Sequence, residues 1–339
     1  MVEISIIVPC YNEEKTIVSL LDALFHQTID RSRLEVVIAD GMSIDATRSL
    51  INQYQEQHPD LKIKIVDNPK RIIPAALNKA LEVSSGEYII RLDAHSIPAE
   101  DYIERCYAHL KNNDAENVGG VWDIQPGNNT IIARAISKAA SHPLGVGGVA
   151  YRSDKALKGY VDTVPFGAYP SKIFTQIGTY DESLLSNEDY ELNVRIRQSG
   201  GRILLDPAIK CVYFARCTFK SLAKQYWRYG YWKLKMLKRY PDTIRLRQAA
   251  PPLFVLWLLS LAILSIFTPL AALLFITTVL SYLFILGFST MKIARKQTPM
   301  FRFWVGMVIS IMAMHFSWGT AFLWSFFHSL FHRNGQKAS

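Results

Sequence analysis

Cysteine is scarce in this sequence, and the few cysteines are scattered. The 339 residues contain only Cys10, Cys106, Cys211 and Cys217, with no C-x-x-C spacing among them. A disulfide-stapled scaffold and a thiolate metal or redox centre both need grouped cysteines. We therefore assign these side chains no metal or redox role and expect four free thiols.

The two common glycine-rich phosphate-binding motifs are also missing. No G-x-G-x-x-G follows the first predicted strand, and no G-x-x-x-x-G-K-[ST] occurs anywhere. The sequence therefore argues against a dinucleotide-binding Rossmann domain and against a P-loop nucleotide hydrolase.

Charge is missing from two long stretches near the C-terminus. No Asp, Glu, Lys or Arg occurs in the forty residues from Pro251 to Thr290 or in the thirty from Phe303 to His332. A helix crosses a bilayer with about 20 apolar residues, so the first stretch suffices for two spans and the second for one. We predict spans at about 252–268, 270–290 and 303–327, with a bend at Thr268-Pro269 and a tail at 333–339. Buried core helices are the alternative.

Acidic residues are scarce just before the first predicted span. Between Arg216 and Arg247 there are ten Lys and Arg and one acid, Asp242. Tyrosine and tryptophan alternate with these basic residues, which is typical of a segment on an anionic lipid surface rather than of a nucleic-acid interface. We therefore expect membrane lipid as a partner, and no nucleic acid. Residues 216–250 are predicted to form a basic aromatic juxtamembrane helical segment, and residues 251–332 the transmembrane region.

A secretory leader is not recognisable at the N-terminus, where the apolar run EISIIVPC is too short. The basic residues before the first span place that end on the cytoplasmic side by the positive-inside rule. We therefore expect residues 1–215 to form a cytoplasmic domain of a multi-pass protein in a bacterial-type inner membrane.

Residues 1–215 show strands alternating with helices. The runs EISIIVPC, LEVVIAD, IKIVD and EYIIRLD are short and rich in β-branched residues, as in strands buried on both faces. Helical three-four spacing of apolar residues separates them. This order predicts an α/β fold with a parallel sheet.

Polar and aromatic side chains follow three of these strands. They are Pro9, Tyr11 and Asn12 after the first strand, Asp40 after the second, and Asp93 with His95 after the fourth. Ligands of open α/β sheets bind outside the carboxyl ends of the strands, so we expect these residues to converge on one crevice. Each of them, taken singly, is also a common turn or cap residue.

Five motifs, in this order, resemble the family 2 inverting glycosyltransferases of the GT-A fold. They are SIIVPCYNEE, VVIADGMSIDAT, AALNKAL with SGEYIIRLDAHSIP, GAYPSKIFTQIGTYDESLLSNEDYELNVRIRQSGG and QYWRYG. The DAH variant and the trailing spans are most similar to bacterial exopolysaccharide enzymes of the succinoglycan ExoA type. The resemblance implies a GT-A nucleotide-diphospho-sugar transferase domain followed by transmembrane helices, with the catalytic domain at 1–215.

The resemblance also implies a set of donor-binding residues. The nucleoside would be held by Pro9, Tyr11, Glu13 and Asp40, with Asp40 on the base. Asp93 would face the ribose and a divalent metal ion, and Gly167 would let the backbone approach the donor sugar. His95 stands where the family more often has a second acid. Since neutral imidazole suits transition metals, we expect Asp93 and His95 to bind Mn²⁺ rather than Mg²⁺. A turn histidine bonded to backbone is the alternative.

The family's ED motif corresponds to Glu188 and Asp189 here. An inverting transfer needs one carboxylate to take the proton of the acceptor hydroxyl, and the resemblance assigns that role to Asp189 with Glu188 beside it. Ser186 and Asp189 also match S-x-x-[DE], so a helix capping box is the structural alternative.

Residues Gln225, Arg228 and Tyr229 resemble the QxxRW motif of processive synthases, with tyrosine in place of tryptophan. The aromatic ring would stack on an acceptor sugar, and Arg228 would offset the charge of the leaving diphosphate. An interfacial amphipathic helix is the alternative reading of this segment.

Together the sequence predicts an inverting hexosyltransferase that moves a sugar from a nucleotide sugar, a UDP-sugar, to a polyprenyl-linked glycan in polysaccharide biosynthesis. The alternatives are a polyprenyl phosphate sugar synthase and a catalytically inactive sugar-nucleotide-binding partner.

Overall fold

The computed structural model describes residues 2–146, 148–153 and 155–333. The chain forms two compact units: Met1–Asp123 with Ala150–Tyr213, and Ile124–Val149 with Phe214–Ser339. The sequence placed residues 124–149 in the first domain, but they belong to the second unit, where the apolar side of a helix packs beside the last helix of the chain. The tail at 334–339 lies outside the described residues.

The first unit is built on a sheet of nine strands. They are β1 (Ile4–Cys10), β2 (Leu34–Asp40), β3 (Lys62–Asp67), β4 (Tyr88–Arg91), β5 (Ser96–Pro98), β6 (Asn117–Pro126), β7 (Gly159–Tyr160), β8 (Ala168–Pro170) and β9 (Ile203–Ala215).

The helices of the first unit are α1 (Ile17–Phe25), α2 (Thr47–Gln57), α3 (Ile73–Val83), α4 (Tyr102–Lys111), α7 (Lys172–Ile177) and α8 (Glu188–Gln198). Those of the second unit are α5 (Ile131–Ser141), α6 (Pro143–Val146), α9 (Phe219–Arg239), α10 (Leu246–Leu264), α11 (Pro269–Ala294) and α12 (Met300–Arg333).

The sheet is parallel in one half and antiparallel in the other. Its order is β3-β2-β1-β4-β8-β6-β9-β5, with β7 on β9. Pairs β2/β3, β1/β2 and β1/β4 are parallel, as predicted, whereas β8 runs antiparallel to β4 and β5 antiparallel to β9. Because Cys10 pairs with Asp40 and Asp40 with Asp67, three strands end side by side.

Helices cover both faces of this sheet. Ile4, Ile6 and Val8 of β1 pack into the same core as Leu20 and Leu24 of α1. The core on the opposite face contains Ile7 of β1 with residues of α3 and α8. Alternation of side chains along a strand explains this division, and it leaves the strand ends free to form a site.

The second unit contains the three helices that are long and apolar enough to cross a membrane. In the described part of the chain they are Leu246–Leu264, Pro269–Ala294 and Met300–Leu330, the same number as the predicted spans. Ala135 of α5 packs with Phe303 and Met307 of α12. A Cβ at Gly230 of α9 would lie 2.3 Å from the carbonyl oxygen of Trp318, so glycine permits a close helix crossing there.

Candidate active site

The loops after β1 and β2 are fastened to each other. Asn12 adopts a left-handed conformation with φ of 55°. Its backbone N–H donates to Ser43 Oγ at 2.8 Å, and its side-chain oxygen accepts from the N–H of Ile44 at 2.9 Å. The N–H of Glu13 donates to Thr47 Oγ1 at 2.8 Å. These bonds make one pocket wall from two strand ends that are 31 residues or more apart in sequence.

Asp40 lies inside this wall and is completely buried. Its carboxylate accepts from Ser43 N–H at 3.0 Å and pairs with Arg48 Nε at 2.6 Å. The guanidinium of Arg48 also contacts Asp67 at the end of β3. Asp40 therefore supports the loop in this structure, and its predicted contact with a base stays a prediction.

Tyr11 and Arg71 form the exposed part of the same region. Tyr11 is 42% exposed, and the guanidinium carbon of Arg71 lies 5.5 Å from the centre of its ring. Arg71 is held at φ of 54°, which brings the loop after β3 back over Tyr11. An aromatic face beside a guanidinium can hold a nucleobase by stacking. Tyr11 is predicted from the sequence, whereas Arg71 is not.

The Asp93-His95 turn follows β4 and forms the next part of the site. Ser96 binds the carbonyl of Asp93 through its N–H at 3.0 Å and its hydroxyl at 2.6 Å. Nδ1 of His95 lies 3.1 Å from Glu13 Oε1, and the other oxygen of Glu13 accepts from Thr16 Oγ1 at 2.6 Å. Thus Nδ1 of His95 contacts a carboxylate, and Glu13, predicted to bind the nucleoside, orients this imidazole.

Packing requires a glycine at position 167, where the sequence predicts a close approach to the donor sugar. A Cβ at Gly167 would lie 2.3 Å from the hydroxyl of Tyr169 and 2.4 Å from Asn117 Oδ1. The carbonyl of Gly167 accepts from the N–H of Arg91 at 3.0 Å. Gly167 therefore joins β4 to β8 beside the site, where a side chain would not fit.

Helix α8 begins with the two acids of the predicted ED motif. Its N-cap is Asn187, which is left-handed with φ of 68° and makes no side-chain cap hydrogen bond. The structural alternative, a capping box at Ser186 and Asp189, is therefore not formed, because Ser186 lies one residue before the cap. Asp189 instead forms an ion pair through Oδ2 with Arg91.

Arg91 is the central cation of the site, although no sequence motif pointed to it. Its side chain is 4% exposed. NH2 lies 3.0 Å from Asp93 Oδ1 and 3.5 Å from Glu188 Oε1, while NH1 contacts Asp189. Burial alone lowers the pKa of Arg91, but Asp93 and Glu188 outweigh it and raise the pKa above its usual value. A charged residue ending the apolar run EYIIR was the signal available in the sequence.

Asp189 has one oxygen held and one without a donor. Its side chain is 26% exposed, yet Oδ1 is buried and has no hydrogen-bond partner among the described residues. An unsatisfied carboxylate oxygen is costly and is a docking point for a hydroxyl donor. Because Oδ1 is buried, this carboxylate would have to turn before it could meet a substrate hydroxyl.

The remaining predicted residues lie on α9, in the second unit. Gln225 Nε2 donates to Tyr229 OH at 3.0 Å, one helical turn away. The ring of Tyr229 lies 5.7 Å from that of Tyr226, and Arg228 is exposed. The three residues of the QxxRW-like motif thus form a local group on one helix.

Comparison with known proteins agrees with the fold. The family model Glycosyl transferase family 2 matches residues 5–176. The chain is 33% identical over 248 residues to the succinoglycan biosynthesis protein ExoA of Rhizobium meliloti, covering 73% of each chain. It is 29% identical over 243 residues to a dolichyl N-acetyl-alpha-D-glucosaminyl phosphate 3-beta-D-2,3-diacetamido-2,3-dideoxy-beta-D-glucuronosyltransferase of Methanococcus voltae, covering 70% of this chain and 74% of that one.

A solved structure shows the same fold. The mannosyltransferase PcManGT of Pyrobaculum calidifontis, in complex with GDP-Man and Mn²⁺, superposes with a TM-score of 0.64 at 20% identity, covering 95% of this chain and 87% of that one. The predicted GT-A fold and the predicted similarity to ExoA are both confirmed. The chain belongs to glycosyl transferase family 2 and is a glycosyltransferase.

Proposed function

We propose that the chain is a membrane-anchored inverting glycosyltransferase that moves a sugar from a nucleotide sugar to a lipid-linked oligosaccharide at the cytoplasmic face of a bacterial-type inner membrane. The observation that carries this proposal is Asp189, which lies in the first turn of α8 without capping it and has one oxygen with no hydrogen-bond partner in the described residues.

The chemistry follows from that carboxylate. An oxygen of the acceptor attacks the anomeric carbon on the face opposite the nucleoside diphosphate, and the hydroxyl proton passes to Asp189. The new carbon–oxygen bond forms as the bond to the diphosphate breaks, and the nucleoside diphosphate leaves with that electron pair. Glu188 shares the guanidinium of Arg91 with Asp189, so it is the neighbour of the base rather than a second base.

The nucleoside end of the donor fits the wall built by the loops after β1 and β2. Pro9 and Cys10 end β1 beside Asp40, and Tyr11 presents an exposed ring. We take a UDP-sugar as the donor. PcManGT was solved with GDP-Man, so the test below includes both nucleotides.

A divalent metal ion fits the side chains of the Asp93-His95 turn. Within residues 2–146, 148–153 and 155–333, no three His, Cys, Asp or Glu side chains are grouped so that they could hold a metal ion by themselves. Asp93 and His95 would therefore hold it together with oxygens of the donor. Glu13 orients His95 in the way that carboxylates orient metal-binding histidines, and an imidazole favours Mn²⁺ over Mg²⁺. A bound ion would neutralise negative charge on the leaving diphosphate.

The lipid-linked acceptor is supported by the second unit and by the relatives. Three of its helices have the length and composition of membrane spans, and a glycan carried on a lipid lies at that membrane. The name of the Methanococcus voltae relative specifies a dolichyl-linked sugar phosphate as acceptor. Gln225, Arg228 and Tyr229 would meet the acceptor sugar and the leaving diphosphate.

The test uses the full chain in membranes with a panel of radiolabelled UDP- and GDP-sugars, followed by extraction of lipid-linked product. We expect label on a lipid-linked oligosaccharide from one donor. Label on a polyprenyl phosphate would establish the sugar synthase instead, and donor binding without product would identify an inactive binding partner.

Asp189→Asn tests the assignment of the base. A general base contributes about 10² to 10⁴ in rate, so transfer should fall by that factor while nucleotide binding survives. Asp181→Asn is a matched control on the surface loop before α8, and we expect near-normal transfer. Normal transfer by Asp189→Asn would remove Asp189 as the base.

A further inference from the structure

In the described part of the chain, only the guanidinium of Arg91 contacts Asp93, Glu188 and Asp189 together. It ends β4, two residues before Asp93, and is almost fully buried. A buried cation is strongly unfavourable unless carboxylates surround it, and here they do.

The two ends of the guanidinium hold different partners. NH2 lies 3.0 Å from Asp93, on the turn assigned to the donor, whereas NH1 contacts Asp189 at the start of α8. The nitrogens of a guanidinium are fixed in one plane, so this fork sets the position of one carboxylate relative to the other. A lysine ammonium is a single point charge and cannot set that spacing.

In the described residues, no other contact holds the carboxylate of Asp189. It does not cap α8, and Oδ1 has no partner in the described residues. Without the ion pair to NH1 the side chain would be free to rotate away from the acceptor. An orientation error of about 1 Å in a reacting group can cost on the order of 10² in rate.

We propose that Arg91 is a positioning residue for transfer, one that fixes Asp189 relative to Asp93 so that the base faces the acceptor while the donor is held. This inference rests on the proposed function, in which Asp189 takes the acceptor proton. A merely structural Arg91 would anchor α8 to β4 and would affect stability without affecting turnover in the folded protein.

The experiment is a double-mutant cycle on the full chain in detergent, with Arg91→Lys, Asp189→Asn and both together. Transfer rate at saturating donor, KM for the donor, affinity for UDP and GDP, and melting temperature are measured for each. We expect Arg91→Lys to lower kcat about 10²-fold with donor KM and nucleotide affinity changed less than about threefold. The double variant should be no slower than Asp189→Asn, because Arg91 acts through Asp189.

Arg195→Lys is the matched control. Arg195 lies on α8, like Asp189, and makes a bidentate ion pair with Glu191 at 2.8 Å. It also donates to the carbonyls of Ile177, Gly178 and Thr179. The Arg195→Lys variant should have a lower melting temperature but a kcat within about threefold of wild type, as expected for a structural arginine.

The outcomes separate this inference from the proposed function. Near-normal kcat in Arg91→Lys, with Asp189→Asn still inactive, overturns the inference and leaves the function standing. Effects that multiply in the double variant also overturn it, since the two residues would then act independently. Normal transfer by Asp189→Asn overturns the function itself. If Arg91→Lys does not melt as a folded protein, Arg91→Gln takes its place in the same cycle.

Discussion

Glu35 provides a stability prediction whose size can be worked from the structure. It lies on β2 with its side chain 1% exposed. Oε1 accepts from Ser5 Oγ at 2.5 Å, Ser85 N–H at 2.6 Å and Ser85 Oγ at 2.9 Å, and Oε2 pairs with Lys64 at 2.7 Å. Burial raises the pKa of Glu35, but Lys64 and the two serines outweigh it and lower the pKa from 4.5 to about 2.

The sign of the pH dependence follows from the lowered pKa. The ionised carboxylate stabilises the fold, so its contribution is fully present above about pH 4.5 and is lost as the pH falls toward about 2. A shift of that size corresponds to roughly 3 kcal/mol, since one pKa unit is about 1.4 kcal/mol. Lys64 is 46% exposed and its pairing is screened by water, so we expect about 2 to 3 kcal/mol.

The assay is urea unfolding of the full chain in detergent, comparing wild type with Glu35→Gln at pH 7 and pH 3. The variant should be less stable by about 2 kcal/mol or more at pH 7, and the difference should fall below about half of that at pH 3. Glu82→Gln is the control, because Glu82 makes an exposed pair with Lys79 and should change little. A difference that is the same at both pH values would refute the reasoning.

Three further predictions concern the site and the membrane. Gly167→Ala should destabilise the protein by about 1–3 kcal/mol through overlap with Tyr169, and Tyr169→Phe should relieve part of this loss; a normal melting temperature would contradict it. His95→Asp should shift the preference from Mn²⁺ toward Mg²⁺ in transfer assays, whereas full activity in excess chelator together with an unaffected His95→Ala would exclude a metal there. Charge reversal at Lys235 and Lys238 should weaken binding of the full chain to anionic vesicles and lower the salt sensitivity of that binding; unchanged flotation would argue against the electrostatic part.

The strands that the sequence predicted are those with a strong local signal. Strands β1, β2 and β4 are mostly apolar, β3 alternates lysine with apolar residues, and each of the three candidate spans contains only one charged residue. Strand β8 has three residues and β7 has two, so neither is long enough to show an alternation of apolar and polar residues. The sequence therefore did not predict the antiparallel half of the sheet. Its pairing depends on contacts between residues far apart in the chain.

The side-chain arrangement of the site was only partly predictable. Tyr11, Asp40, Asp93 and His95 follow strands and could be placed at one edge from topology. Arg91 could not, because its role appears only when α8 folds back to bring Asp189 beside β4. The capping box failed for a local reason, since the left-handed Asn187 begins the helix one residue later than the motif requires.

One lysine of the juxtamembrane helix does not belong to the exposed basic surface that the sequence predicts for a segment on anionic lipid. Lys233 is 1% exposed and its ammonium lies 3.5 Å from the sulfur of Met236. Periodicity on α9 alone could not show which side faces α12, because both sides carry aromatic and basic residues.

The length of α12 limits how it can sit in a bilayer. Its 34 residues extend about 51 Å, and the charge-free part from Phe303 to His332 extends about 45 Å. To fit a hydrocarbon layer of about 30 Å, that part alone would have to tilt by roughly 50°, more than the tilts of 0–40° usual for membrane helices. A portion of this helix must therefore lie outside the hydrocarbon layer. Phe303 and Met307, buried against α5, identify the first turns as that portion, so hydropathy overstates the lipid-facing length of this helix.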